Sequence, residues 1–545
     1  MTVIARLIGS SVLLASTTTL SAQSQDLTAL ADRVFAPFNS VHGPGCAVGV
    51  SRSGKVLLTR GYGMADLESG RANDASTIFE SGSVAKQFTA TAIVLLALDG
   101  KLSLDDDVRK FIPELPVYDA PITIRHLLNH TSGLREWSNL VALQGWPRGT
   151  RRHTQDVLVD IVARQKSLNY PVGMTYSYTN SGFGLLPTIV QRVTGKSLAA
   201  FSQERIFGPL GMKDTKWRDD MTAVVPRRAQ GYSREGNGWK LEMPIEDVYG
   251  PGGLLTTVSD WLIWNDALAT KKLGAAWADT LVRRSRTKSG REISYALGII
   301  NTSYRGAQEI SHNGATAGYR TSLVRYPQHD QLSVAVLCNA ASANPTALSR
   351  GMVDALIPTL APAPALDTVA TDSVSASRLV GHWVRTSDHA YQPIEFAKGR
   401  LTLGGTPLRP LRSGGWLLGA ATKIVPLDPR GGTTPSRLLR IDAESDTTML
   451  DRVEAPLTVL DGYVGRYRSD ELDVTYEVTV EKGALHLRIR AGVTMTLDAV
   501  YKDGFGSDDV GDVWFSRDAK GRIDALHVSG GRAWDVAFAR LPAKK

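Results

Sequence analysis

The sequence predicts a mixed α/β domain followed by two small antiparallel β barrels. Three observations carry that reading. Residues 23 to about 362 mix helical and strand patterns, the composition turns rich in Pro, Ala and Ser over 361–377, and the remainder is built from short alternating strands that repeat. At 545 residues the chain exceeds what one hydrophobic core usually holds. Its 43% hydrophobic and 21% charged residues exclude wholesale disorder and a membrane bundle.

The first 22 residues read as a signal peptide. Arg6 supplies a basic start, Leu7 to Ala15 an apolar stretch, and Leu20-Ser21-Ala22 a small-residue cleavage site, with the cut expected after Ala22. The apolar stretch falls far short of the ~20 residues a membrane span needs. No other segment reaches that length, so the mature chain is expected to lack a transmembrane segment and to be periplasmic or secreted. The formal charge of +8 has no Lys/Arg cluster interleaved with aromatics, so nucleic acid is not an expected partner. Cys46 and Cys338 each lie in an apolar, strand-like run. Export permits a disulfide, but buried Cys also behaves as a small hydrophobe, and the expectation is two buried thiols.

Within 23–362, Ala47–Val50, a turn at Ser53-Gly54 and Val56–Leu58 predict a hairpin. An apolar helix is expected from Phe88 to Leu98, stopping at Asp99-Gly100. Leu332 to Leu337 predicts a buried strand. Residues 363–377 are expected to be a linker. The two barrels, 378–455 and 456–545, come from a repeat. Val380-Gly381-His382-Trp383 matches Val464-Gly465-Arg466-Tyr467, and Lys398-Gly399 with Leu401 matches Lys482-Gly483 with Leu485, at one offset of 84 residues.

The chemistry begins at Ser83-Val84-Ala85-Lys86. Positions i and i+3 share a helix face, so the ammonium of Lys86 can reach the hydroxyl of Ser83. Serine is a poor nucleophile until a base takes its proton, and lysine serves only where burial or charge lowers its pKa. The apolar helix supplies burial. Ser285-Arg286-Thr287-Lys288 has the same pattern but sits in a charged run with no apolar flank, and is expected to be an inert loop. Tyr178-Thr179-Asn180 offers a phenol and a carboxamide two residues apart. His312-Asn313-Gly314 opens an extended segment expected to run to Tyr326, where glycine admits a close backbone approach.

The order Ser-x-x-Lys, Tyr-x-Asn, His-x-Gly resembles the penicillin-recognising serine hydrolases: class C β-lactamases, D-alanyl-D-alanine carboxypeptidases, D-aminopeptidases and related esterases. Flanking residues agree, among them Gly61-Tyr62-Gly63, Ile122 to Leu134, and Gly252-Gly253-Leu254 with Ser259-Asp260. The resemblance implies a β-lactamase/transpeptidase-like fold, an antiparallel sheet flanked by helices plus an all-helical part. It implies an acyl-enzyme on Ser83, with acid/base work shared by Lys86 and Tyr178. Asn180 would bind the substrate amide and orient Lys86, and the N–H groups of Ser83 and Ala315 would form the oxyanion hole beside Gly314. His312 stands where the β-lactamases carry Lys, a departure that favours the peptidase branches. Asn313 is a substrate-binding candidate.

An SxxK domain with two β barrels resembles the D-aminopeptidases over the whole mature chain. In that group a loop of the last barrel helps recognise the substrate amine, which makes Asp508 and Asp509 in Gly504 to Asp512 substrate-binding candidates, against the plainer reading of a solvated turn. The expected function is hydrolysis of D-amino-acid peptides or amides. The alternatives are a β-lactamase or carboxylesterase on the same scaffold, or a penicillin-binding sensor with little turnover. Expected substrates are therefore small peptides, amides, esters or β-lactams. No cofactor is expected, and no metal: His126 and His130 have helical spacing but lack the Glu of an HExxH motif. Trp261 and Trp264 are expected to pack in a core.

Overall fold

The computed structural model describes residues 26–363, 365–427, 434–443, 445–457 and 459–542. The expected signal peptide lies outside the described residues. The chain divides into two compact units. The first comprises residues 1–102, 190–284 and 295–363, and the second 103–189, 285–294 and 364–545.

The first unit is built on a six-stranded antiparallel sheet. Its strands are β1 (Cys46–Arg52), β2 (Lys55–Tyr62), β3 (Ile300–Tyr304), β4 (Ala307–Thr316), β5 (Tyr319–Tyr326) and β6 (Leu332–Cys338), in the order β3-β4-β5-β6-β1-β2. β1 and β2 form the expected hairpin. Ser53 and Gly54 both take positive φ, 47° and 76°, the two-residue turn that matches strand twist. β6 is buried along its whole length, as its unbroken apolar run requires.

Helices cover both faces. Leu27, Ala31 and Phe35 of a helix over 26–35, with Met352 and Val353 of Pro345–Leu356, join Val48, Val50, Val334 and Val336 in one core. On the other face Gly49 leaves room for Val258 and Leu262 of the helix Val258–Ala269. Trp261 and Trp264 are fully buried there, as expected. The predicted apolar helix runs Lys86–Leu98 and ends before Gly100 at φ 68°.

Cys46 and Cys338 are not two thiols but a disulfide. The expectation failed because residue type fixes burial and not partner. The register of β1 on β6 places the two cysteines directly opposite one another.

In the second unit, residues 103–189 are mainly short helices and loops, and the described residues from Trp383 to Arg540 are mainly β. Eight strands between Trp383 and Arg452 form an antiparallel sheet whose ends approach through the bridges Gly381↔Ile394 and Val384↔Tyr391. Eight more, from Gly465 to Arg540, close into a barrel. The 84-residue repeat has a structural counterpart. Lys398-Gly399 (φ 50° and 72°) and Lys482-Gly483 (φ 51° and 79°) make the same turn in the corresponding hairpins.

The stretch read as a linker carries structure of its own. Val369 N–H donates to Pro410 O at 2.9 Å. A helix at Ser373–Ser377, capped by Asp372, buries Ala376 in the core of the eight-stranded sheet. Ala376 is the one residue of that helix that is buried.

Candidate active site

In the first unit the nucleophile is set by a change of backbone. The strand Phe79–Glu80 pairs with Leu254–Thr256, and Ser81 N–H donates to Leu254 O at 2.8 Å. Gly82 then turns at φ 51° into a 3₁₀ turn, Gly82–Ala85, from which the helix starts at Lys86. Ser83 thus stands on the tighter turn ahead of the expected α-helix, where residues three apart eclipse. Ser83 is half-buried, whereas Lys86 is wholly buried. Lys86 Nζ lies 3.1 Å from Ser83 Oγ and donates to Pro251 O at 2.7 Å. The glycine-rich turn after Tyr249 therefore holds the amine, and Thr89 Oγ1 fixes that turn by donating to Gly250 O at 2.8 Å.

His312, Asn313, Gly314 and Ala315 lie in β4. They do not open one extended segment to Tyr326, because the chain reverses at Ala317 (φ 43°) into β5. Gly314 is packed against the turn of Ser83. A side chain there would meet Ser81 O and come within 3.0 Å of Ser83 N, and one on Gly82 would come within 2.6 Å of Ala315 N. The amides of Ser83 and Ala315 therefore flank one close backbone approach. Asn313 and Ala315 are exposed.

His312 is buried, and desolvation, helped by the charge of Lys86, depresses its pKa to about 3. Its Nδ1 faces Asn313 O at 2.7 Å and its Nε2 faces Tyr295 Oη at 2.9 Å. Since a carbonyl can only accept, the neutral ring carries its proton on Nδ1 and the Tyr295 hydroxyl donates to Nε2. His312 is a neutral hydrogen-bonding group, not a cation.

Three charges beside this turn escaped the sequence reading. Glu80 is buried and takes two bonds of 3.0 Å from Arg218 and one of 3.0 Å from Arg228. No local signal links residues 138 positions apart.

In the second unit, Tyr178 lies in an irregular segment and Asn180 opens the helix Asn180–Thr194. The ring of Tyr178 packs on His130, centroids 4.3 Å apart, and Thr179 N–H donates to His130 Nδ1 at 3.3 Å. His126 makes a capping box with Thr123 instead. Among the described residues no group of three or more His, Cys, Asp or Glu could hold a metal.

The organiser of this segment is Glu136, fully buried and missed by the sequence reading. Its Oε2 accepts from Asn180 N–H at 2.6 Å and Thr179 Oγ1 at 3.1 Å, and its Oε1 from Asn180 Nδ2 at 3.4 Å. It stands two residues beyond the quoted Ile122–Leu134 block, which is the one clue the sequence offers.

Asp508 and Asp509 are exposed in the turn between Gly504–Ser507 and Gly511–Arg517. Another turn of the closed barrel, at Gly531-Arg532, touches Tyr178 through Arg532. Lys288, the lysine of the decoy motif, is exposed as expected.

A model of the beta-lactamase family matches residues 31–358. A D-aminopeptidase of Cereibacter sphaeroides is 31% identical over 336 residues, 59% of this chain and 62% of that protein. A penicillin-binding protein of Bacillus subtilis is 27% identical over 294 residues, 51% of this chain and 64% of that protein. The match thus spans less than two thirds of either relative. Among solved structures, the octameric penicillin-binding protein homologue from Pyrococcus abyssi aligns with a TM-score of 0.54 at 19% identity, over 85% of this chain and 97% of that one. At that identity the likeness is one of fold.

Proposed function

The chain belongs to the beta-lactamase family, and from that premise we propose that it is an exported serine hydrolase that acts on D-amino-acid peptides or amides through a Ser83 acyl-enzyme. The observation that carries the reading is the buried Lys86 amine 3.1 Å from the half-exposed Ser83 hydroxyl.

Ser83 Oγ attacks the substrate carbonyl as its proton passes to the base, a duty shared by Lys86 and Tyr178. The tetrahedral oxyanion sits between the N–H groups of Ser83 and Ala315. It collapses with return of that proton to the leaving amine. Water then attacks the ester under the same base, releasing the acid and restoring Ser83. Asn180 and Asn313 bind the substrate's polar groups. Similarity to the Cereibacter sphaeroides D-aminopeptidase supports this substrate class. So does the neutral His312, which offers no positive charge to a substrate carboxylate.

The test uses the full-length chain and Ser83→Ala with D-alanine 4-nitroanilide, a peptide ending in D-Ala-D-Ala, a chromogenic cephalosporin and a 4-nitrophenyl ester. Release of nitroaniline that vanishes in Ser83→Ala is the expected result. Equal turnover by the two proteins would overturn the mechanism. Stable penicillin labelling without turnover would replace the hydrolase with a sensor. For export, the amino terminus of protein recovered outside the cytoplasm should be Gln23, and recovery of uncut chain from the cytoplasm alone would overturn it.

A further inference from the structure

The turn that closes the last barrel reaches the Tyr-x-Asn segment. Arg532 sits between the strands Ile523–Gly530 and Ala533–Arg540. Its Nη1 donates to Tyr178 O at 3.2 Å, its Nη2 lies 3.6 Å from Glu136 Oε2, and its guanidinium stands over the Tyr178 ring, 5.5 Å from the centroid. The backbone is fixed as well. Glu136 N–H and Asn169 Nδ2 both donate to Arg532 O, at 3.0 and 2.9 Å, and Arg532 N–H donates to Asn139 Oδ1 at 3.1 Å.

These contacts define a clamp. Glu136 binds the Thr179 hydroxyl and both the main chain and side chain of Asn180 from one side, His130 packs the Tyr178 ring, and Arg532 grips both the Tyr178 carbonyl and the Glu136 carboxylate. A buried carboxylate that organises neutral partners needs a compensating charge. Within this unit Arg532 supplies it 3.6 Å away. The Tyr178 carbonyl, for its part, fixes the backbone from which the phenol hangs.

We propose that Arg532 is a positioning residue for Tyr178, so that the second β barrel completes the catalytic machinery instead of merely trailing it. The inference rests on the reading of Tyr178 as an acid/base group. Arg532 acts through Tyr178 and Glu136 and touches no reacting atom. Its loss should lower the rate of the chemical step and leave substrate binding in place, because a misaimed proton carrier costs kcat before it costs KM.

The experiment is a double-mutant cycle on the full-length chain, with D-alanine 4-nitroanilide as the probe. Arg532→Ala should lower kcat about 10- to 100-fold with KM within about twofold, within the range acid/base positioning commands. Arg532→Lys, which keeps the charge and one donor, should recover at least half of that loss on a logarithmic scale. In a Tyr178→Phe background Arg532→Ala should cost less than about threefold more, since two residues acting as a unit are not additive. Thermal unfolding by circular dichroism should place Arg532→Lys with the parent. Additive losses in the cycle would overturn the positioning role and leave Tyr178 its own. A Tyr178→Phe protein with unchanged kcat would overturn the reading of Tyr178 and the inference together. A rise in KM with constant kcat would make Arg532 a substrate contact and refute the proposal.

Discussion

Gly82 sits at a close backbone approach that leaves no room for a side chain. A methyl group there would sit 2.6 Å from the Ala315 nitrogen, 3.0 Å from the Gly314 carbonyl carbon and 3.1 Å from the Ala315 carbonyl carbon, where ordinary contact begins at 3.4 Å. All three neighbours are backbone, so none can swing aside, and β4 must retreat by roughly 0.8 Å. The positive φ of 51° adds about 1–2 kcal/mol of backbone strain, and overpacking adds about 1–3 kcal/mol. Stability should therefore fall by about 2–5 kcal/mol. The functional loss follows from the same shift. The two amides that would receive the oxyanion move apart, and a misplacement near 1 Å costs about 100-fold in rate. Gly82→Ala should thus lower kcat about 100-fold on D-alanine 4-nitroanilide, measured below the variant's own melting temperature as fixed by circular dichroism. A folded Gly82→Ala protein with kcat within about threefold of the parent would refute the reasoning.

Two further outcomes are expected. Burial pushes the Asp512 carboxyl up to about 6, reinforced by Asp388 and opposed by the Tyr391 N–H and Arg385. A folded value above the unfolded one means that its stabilisation is complete below about pH 4 and is lost as pH rises through 6, so Asp512→Asn should be more stable than the parent at pH 8 by about 2–3 kcal/mol, with no difference at pH 4 in urea titrations. Removing the Cys46–Cys338 bond with a Cys46→Ala, Cys338→Ala pair should cost about 2–5 kcal/mol in the same assay, and alkylation of the denatured, unreduced parent should add no mass; two alkyl groups would show free thiols.

What the sequence disclosed was local. The turn at Ser53-Gly54, the helix stop before Gly100 and the paired Lys-Gly turns of the two barrels are each decided by a few adjacent residues, and each stands where it was read. The three motifs were legible for the same reason, since each is at most four residues long. What escaped was pairing at a distance. Glu80 with Arg218 and Arg228, Glu136 with Arg532, and Cys46 with Cys338 are joined by sheet register and packing, and no periodicity names a partner. The turn at Arg532 escaped too, since its contact with the Tyr178 carbonyl joins residues 354 positions apart.

The place of β1 has a consequence in time. It lies between β2 and β6, and its partner cysteine follows 292 residues later. Translation adds about 5–20 residues per second, so the middle of this sheet waits about 15–60 seconds for its second neighbour to be synthesised. Contacts of such high order also form slowly once both strands exist. The nascent chain therefore cannot close the middle of this sheet until the strand that carries Cys338 has been made, well past the midpoint of synthesis.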